Sequence, residues 1–389
     1  MLKCQKQHFE IPEDICYLNT AYMSPLLSES VKIGHKALLK KLRPYELEID
    51  DFFVPVDQLK QSFAQLVDVD NHQRNVIIPS VSYGMANISQ NIPLSENDEI
   101  VIVSEQFPSN VYPWMELSKN RGSKLITVDS PDNFFRKGDL WTEKIIDAIN
   151  TRTKVVALPH VHWSEGIIFN LKAISQKVHT VGGYLIIDGT QSIGALPFSV
   201  KDIQPDALIV SGYKWLMGPY GLGIAYYGER FDDGVPFENN WINRLNSEDF
   251  ASLVNYQDRY KPYSNRYGVG ESSNFASIPI LQYAIDKISE WTPEGIQDYC
   301  GFITNQTIAQ LNEYGYDISS EGQRSNHLFG IKIPASLSAD MLKETFRKNN
   351  IYVSFRGNYI RVSPFVFNDS TDLQQLCDAL IHAITHSMV

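Results

Sequence analysis

The chain has 389 residues, 43% apolar and 12% aromatic, with 45 acidic against 34 basic side chains and a net charge of -11. That composition sustains a large core and excludes global disorder, and at roughly 100–200 residues per domain the length predicts two domains, or three. The acidity, with basic residues scattered, argues against a nucleic-acid partner, and the apolar runs, such as YLIID (184–188) and ALIV (207–210), fall far short of the roughly 20 residues that span a bilayer.

The first residues, MLKCQKQHFEIPEDI, hold no apolar stretch of signal-peptide length, and Cys4, Cys16, Cys300 and Cys377 form no CxxC pattern. A cytoplasmic protein with four free thiols is expected. NVIIP (75–79) and EIVIVSE (99–105) read as strands flanking a helix from about Ser82 to Gln90, and KLITVD (124–129) as a further strand. KVVALPHV (154–161) is an apolar strand. NLKAISQKVHT (170–180) then spaces Leu171, Ile174 and Val178 as one face of a helix, Gly182–Gly183 stops it, and YLIID follows. A strand, helix and strand with so short a crossover predict a parallel pair buried on both faces. ALIVSG (207–212) and GLGIAYYG (221–228) continue the sheet.

Residues 229–270 are polar, aromatic and weakly periodic, the pattern of long functional loops. Beyond them the periodicities predict helices from about 276, at 294–314 and at 338–349, strands HLFGIKI (327–333), IYVSFR (351–356) and YIRVSP (359–364), and a last helix capped by Ser370 or Thr371. This order gives an α/β protein: a large domain over 19–265 with a mainly parallel central sheet, and a smaller α+β domain over 266–389, with 1–18 packing near it.

In open α/β sheets ligands sit beyond the carboxyl ends of the strands. Asp188 ends YLIID, Gln191 follows it, and Ser211, Tyr213 and Lys214 end ALIVSG, so an acid, an amide and an amine converge. Lys214 lies in SGYKWLMGPYGLG, where aromatic neighbours can desolvate the amine and make it a nucleophile toward carbonyls. Pyridoxal 5'-phosphate needs these parts together: a lysine to hold its aldehyde as a Schiff base, a carboxylate to keep its ring nitrogen protonated, a donor to its phenolate oxygen. Lys214, Asp188 and Gln191 fill those roles. The turn from strand to helix at Ser80, Val81 and Ser82 offers free N–H groups at a positive helix end, a cradle for phosphate.

With those residues in view, the stretch HVHWSEG…GGYLIIDGTQSIGALPFSV…DALIVSGYKWLMGPYGLGIAYY resembles the class V aminotransferase family, the fold-type I pyridoxal-phosphate enzymes that include cysteine desulfurases, kynureninase and isopenicillin N epimerase-like proteins. D-x-x-Q-S-x-G, S-G-[HY]-K and G-P-x-G-x-G occur in the family's order, and the resemblance runs from YLNTAYMSP (17–25) to YIRVSPFVFN (359–368). It implies Lys214 as the Schiff-base lysine, Asp188 as the pyridinium partner and Gln191 as the phenolate partner, with Ser82, Ser211 and Tyr213 at the phosphate. EQFPSNVYPW (105–114) looks like the segment that stacks on the cofactor ring, which implies Phe107 on the pyridine face. Arg361 matches the arginine that holds the substrate carboxylate. Arg356 is either a second anion ligand or a surface charge. RYGVGESSNF (266–275) resembles the segment that completes the partner's phosphate site, so a homodimer with composite sites is expected, with Gly270, Glu271 and Asn274 as weaker candidates.

Two departures bear on the reaction. Desulfurases carry a nucleophilic cysteine on a loop before the carboxylate-binding arginine, whereas SFRGNY is a tight turn without one. They also have asparagine where Trp163 stands, a position at which kynureninase-like members have an aromatic, so Trp163 is a substrate-side candidate. His160 and His162 alternate along a strand end without a third ligand, which argues against a metal. One of them is expected to touch the cofactor or substrate, and His162 is counted among the cofactor candidates. The expected function is a pyridoxal-phosphate-dependent aminotransferase acting on an amino acid, the alternative an epimerase or lyase on the same residues, and more remotely a non-catalytic binding module. Desulfurase chemistry is disfavoured.

Overall fold

The computed structural model describes residues 2–387. In chain order the strands and helices are β1 (Cys16–Tyr17), α1 (Ser28–Lys41), α2 (Asp50–Leu66), β2 (Asn75–Ile78), α3 (Val81–Ser89), β3 (Glu99–Val103), α4 (Tyr112–Arg121) and β4 (Lys124–Val128). Then come α5 (Lys137–Ala148), β5 (Thr153–Pro159), α6 (Leu171–Thr180), β6 (Tyr184–Asp188), α7 (Val200–Ile203), β7 (Ala207–Ser211) and β8 (Gly223–Tyr227). The chain finishes with α8 (Ser277–Trp291), α9 (Pro293–Glu313), β9 (Asp317–Ile318), β10 (Phe329–Lys332), α10 (Ala339–Lys348), β11 (Ile351–Tyr352), β12 (Ser354–Arg356), β13 (Tyr359–Val362) and α11 (Ser370–Ser387).

Seven strands form the central sheet in the order β2-β8-β7-β6-β5-β3-β4. β5 and β6 pair in parallel, as the short crossover through α6 requires. β8 runs antiparallel to both β7 and β2. Two reversals restore direction, so β2 points the same way as β3, β5, β6 and β7, and all five carboxyl ends reach one edge. β3 and β5 are neighbours although β4 lies between them in the chain, so the order of winding switches there. That is where such sheets open a crevice.

The sheet is apolar on both faces. Val156, Leu158, Leu185, Ile187, Leu208 and Val210 bury one side, Val155, Ala157, Ile186 and Ile209 the other. α8 joins the first of these cores through Ile278, Leu281, Ile285 and Ile288. A separate core unites α9, α10 and α11 with a four-stranded antiparallel sheet in the order β12-β13-β10-β9. β1 pairs in parallel with β11, Cys16 against Ile351, and so ties the N-terminal segment to this second unit. Sequence reading expected one strand over 351–356, but it is interrupted at Val353, and β11 and β12 go to different sheets. Between Glu229 and Tyr267 there are short 3-10 turns and one isolated antiparallel bridge, Arg244 with Tyr260, in keeping with the weak periodicity there.

Candidate active site

The cleft at the carboxyl edge is built from residues that follow β2, β3, β5, β6 and β7. Asp188 ends β6, and Ser211, Tyr213 and Lys214 end and follow β7. Phe107 follows β3 and Trp163 follows β5. All line one cleft together with Ser80, Val81, Ser82 and Gln191.

Lys214 is 5% exposed. Burial, deepened by the charge of Arg361 and opposed by Asp188, lowers its pKa to about 7. Its Nζ stands 5.2 Å from the centre of the Phe107 ring and 5.5 Å from that of Tyr213. Asp188 is buried, which raises its pKa, while the N–H of Thr190 donates to Oδ1 at 3.0 Å and holds it back. Gln191 donates from Nε2 to the Ala21 carbonyl at 3.2 Å and accepts from Trp215 Nε1 at 2.9 Å, so its amide is fixed from both ends. Behind it, the ring of His327 contacts the Gln191 carbonyl at 2.8 Å and packs edge-on against Trp215.

α3 starts at the same edge with Ser80 as its N-cap, whose Oγ accepts from the N–H of Tyr83 at 3.2 Å. The N–H groups of Val81 and Ser82, at the first two helical positions, have no intrahelical acceptor, and both residues line the cleft at the positive end of the helix. Ser82 Oγ donates to Ser109 Oγ at 3.1 Å. Ser211 Oγ is buried with no protein partner, although the Ser211 N–H donates to Thr190 Oγ1 at 3.2 Å.

The cleft continues outward over Ala21, Tyr22 and Met23 to Arg356 and Arg361. Arg361 is 1% exposed and donates to the Trp163 carbonyl at 3.1 Å and to Ser354 Oγ at 3.5 Å, while its Nε has no partner. Burial first, and Arg356 second, lower its pKa to about 9. Trp163 donates from Nε1 to the Glu105 carbonyl at 2.6 Å and meets Phe107 edge-to-face at 5.4 Å.

Five sequence candidates line no part of this cleft in their own chain: His160 and His162, and Gly270, Glu271 and Asn274. His162 does not line the cleft: it is wholly buried on the other side of its segment, against Trp141 at 5.0 Å, with Ser164 Oγ 3.2 Å from Nδ1. The cleft-facing residues there are Pro159, Val161 and Trp163, the alternate set. Asn274 lies just before α8, its Oδ1 accepting from the Ser277 N–H at 2.9 Å, away from the cleft of its own chain. Sequence reading passed over Thr190, which links Asp188 to Ser211, and its position inside the DGTQ motif was the available signal. Among the described residues no cluster suited to a metal ion occurs and no helix is long and apolar enough to cross a membrane.

The aminotransferase class V family profile matches residues 50–365. An uncharacterized aminotransferase of Bacillus subtilis, YcbU, is 23% identical over 330 residues, 84% of this chain and 83% of its own. A probable cysteine desulfurase of Halalkalibacterium halodurans is 28% identical over 252 residues, 58% of each chain. Among solved structures, the cystine C-S lyase C-DES, in complex with its reaction product cysteine persulfide, superposes with a TM-score of 0.85 over 95% of this chain and 98% of its own, at 17% identity, a likeness of fold. With a matching profile over most of its length and a fold-type I sheet carrying an acid, an amide and a lysine on its carboxyl edge, the chain belongs to the class V aminotransferase family of pyridoxal-phosphate-dependent enzymes.

Proposed function

We propose that the protein is an aminotransferase acting on an amino acid bound between Lys214 and Arg361. The observation that carries this reading is one cleft lined by a buried, weakly basic amine, by Asp188 and by a buried guanidinium without a carboxylate partner. The residues fit pyridoxal 5'-phosphate. Ser211 Oγ is an orphaned buried hydroxyl, α3 begins with open N–H groups, and Phe107 offers an aromatic face over the amine. Asp188, Gln191 and Lys214 would hold the ring, and Ser80, Val81, Ser82, Ser211 and Tyr213 the phosphate.

When bound, this group supplies an aldehyde for the substrate amine and a ring that draws electrons from the α-carbon. Asp188 supplies the counter-charge for a protonated ring nitrogen. Lys214 Nζ, its pKa lowered to about 7, would serve as nucleophile and then as the base that removes the α-proton and passes it to the carbon that carried the cofactor's aldehyde, not back to the α-carbon, as transamination requires. Arg361 binds the α-carboxylate through its free edge, and Trp163, fixed by Glu105, shields the reacting atoms from water.

Transfer of sulfur through an enzyme persulfide is disfavoured because β12 and β13 are joined by Gly357–Asn358 alone, Cys16, Cys300 and Cys377 are buried, and the half-buried Cys4 lines no part of the cleft. We further propose a homodimer. Supporting it, Leu42, Tyr45 and Tyr256 stand 75%, 82% and 94% exposed, and the segment holding Asn274 is unused by its own cleft.

The test incubates yellow holoenzyme with a panel of amino acids. A 2-oxo acid appearing with the aminated cofactor is the expected outcome. Solvent-deuterium uptake with racemisation, or loss of a side-chain fragment, each without that pairing, would replace transamination by epimerisation or lysis. Lys214→Ala should lose the borohydride-fixable cofactor, and a colourless wild type that takes up no pyridoxal phosphate would overturn the whole assignment.

A further inference from the structure

The outer half of the cleft carries more positive charge than one α-carboxylate needs. β12 and β13 are antiparallel, with Ser354 opposite Arg361 and Arg356 opposite Tyr359. Residues 354 and 356 share one face, as do 359 and 361, so Arg356 and Arg361 are diagonal neighbours on the same face of the hairpin. Both guanidinium groups converge on Trp163, with their carbons 5.4 and 5.8 Å from its ring centre.

Neither arginine has a carboxylate within ion-pairing distance among the described residues. Arg356 is half-buried and donates to its neighbour's carbonyl, Phe355, at 2.7 Å; Arg361 donates to a carbonyl and a hydroxyl. Two unneutralised guanidinium groups in one aromatic-walled cleft repel each other, and each lowers its stability until an anion arrives. The two also differ in depth. Arg361 is nearly inaccessible whereas Arg356 is half-buried, so Arg361 lies deeper in the cleft and Arg356 nearer the mouth. Tyr22 and Met23 complete the wall on the outer side.

We infer that the substrate is an acidic amino acid, whose α-carboxylate sits on Arg361 and whose side-chain carboxylate, or an equivalent anionic group, sits on Arg356. The inference rests on the proposed amino-acid chemistry of this cleft and adds the class of side chain it selects. A guanidinium at the cleft mouth, stacked beside an indole, recognises a planar anion by paired N–H donors and rejects an apolar side chain by leaving its own charge desolvated.

The test uses holoenzyme and calorimetric titration with succinate and glutarate against butyrate and valerate. Kinetics are then compared for aspartate and glutamate against 2-aminobutyrate and norvaline. The expected result is a preference of about tenfold or more for the diacids, in binding and in kcat/KM, that collapses in Arg356→Gln and is partly kept in Arg356→Lys. Arg361→Gln should weaken diacids and monoacids alike. Equal binding of the two classes by wild type, or a diacid preference that survives Arg356→Gln, would overturn the inference, as would an Arg356→Gln loss shared equally by both classes, the mark of one carboxylate bridging both arginines. Cofactor absorbance, read in the same samples, separates these results from a failure of the enzyme assignment itself.

Discussion

Lys214 is an amine held out of water, with a pKa lowered to about 7 by burial and then by Arg361, while Asp188 pulls the other way. The sign follows directly: below that value the amine is protonated and unreactive, above it the lone pair is free. Capture of pyridoxal phosphate by cofactor-free protein should therefore speed up as pH rises through about 7 and level off above it. Arg361→Gln removes a charge that disfavours the ammonium, so its midpoint should move upward; stopped-flow absorbance over a pH series checks both, and a wild-type midpoint near the usual lysine range contradicts the account. The placement of Asp188, Ser211 and Lys214 in the cleft was legible because each ends or closely follows an apolar strand. His162 was not. Along an extended segment alternate residues face opposite ways, and nothing local says that Val161 and Trp163, rather than His160 and His162, face the cleft.

At the level of elements, the alternation of strand and helix over 154–211 could be read directly, since period and glycine stops are local signals. The reversal at β8 could not. GLGIAYYG has the same apolar look in either direction, and only pairing with β2 and β7 shows that it runs backwards. That reversal is what brings the Ser80 turn to the same edge as Lys214. The helices α1, α2, α4, α5 and α7 went unread, α2 in part because Pro55 lies inside it. The loop after β5 turns at Gly166, whose φ of +76° is left-handed and whose Cβ would come within 2.0 Å of the Leu328 carbonyl oxygen. Gly166→Ala should therefore cost at least about 1–3 kcal/mol in denaturant unfolding. A change within experimental error would show that this turn is free to rearrange.

Across the whole molecule, the two cores meet at a buried ion pair. Lys137 on α5 and Glu165 beyond β5 are each 4% exposed and hydrogen-bonded to one another, and Lys137 also donates to the Tyr359 hydroxyl of β13 at 3.4 Å. Removing one partner strands a charge in a low-dielectric interior. Glu165→Ala is expected to cost about 3–5 kcal/mol, and the double change Lys137→Met with Glu165→Leu to recover most of it. Chemical denaturation of the single and double variants measures this, and a single-variant cost below about 1 kcal/mol would mean that water reaches the pair. α8 packs with the large sheet, while α9 contributes to both cores, Ile296 and Cys300 to the first and Tyr299, Ile303 and Leu311 to the second.

By itself the sequence determined the α/β alternation, the family and the cofactor, because strand ends, glycine turns and an acid, amide and lysine in fixed order are short-range features. Tertiary structure alone decided which face of each strand meets the cleft and which arginines stand together without counter-ions. It also decided that the segment at Cys16 joins the sheet at Ile351, because these depend on register and on contacts between residues far apart in the chain.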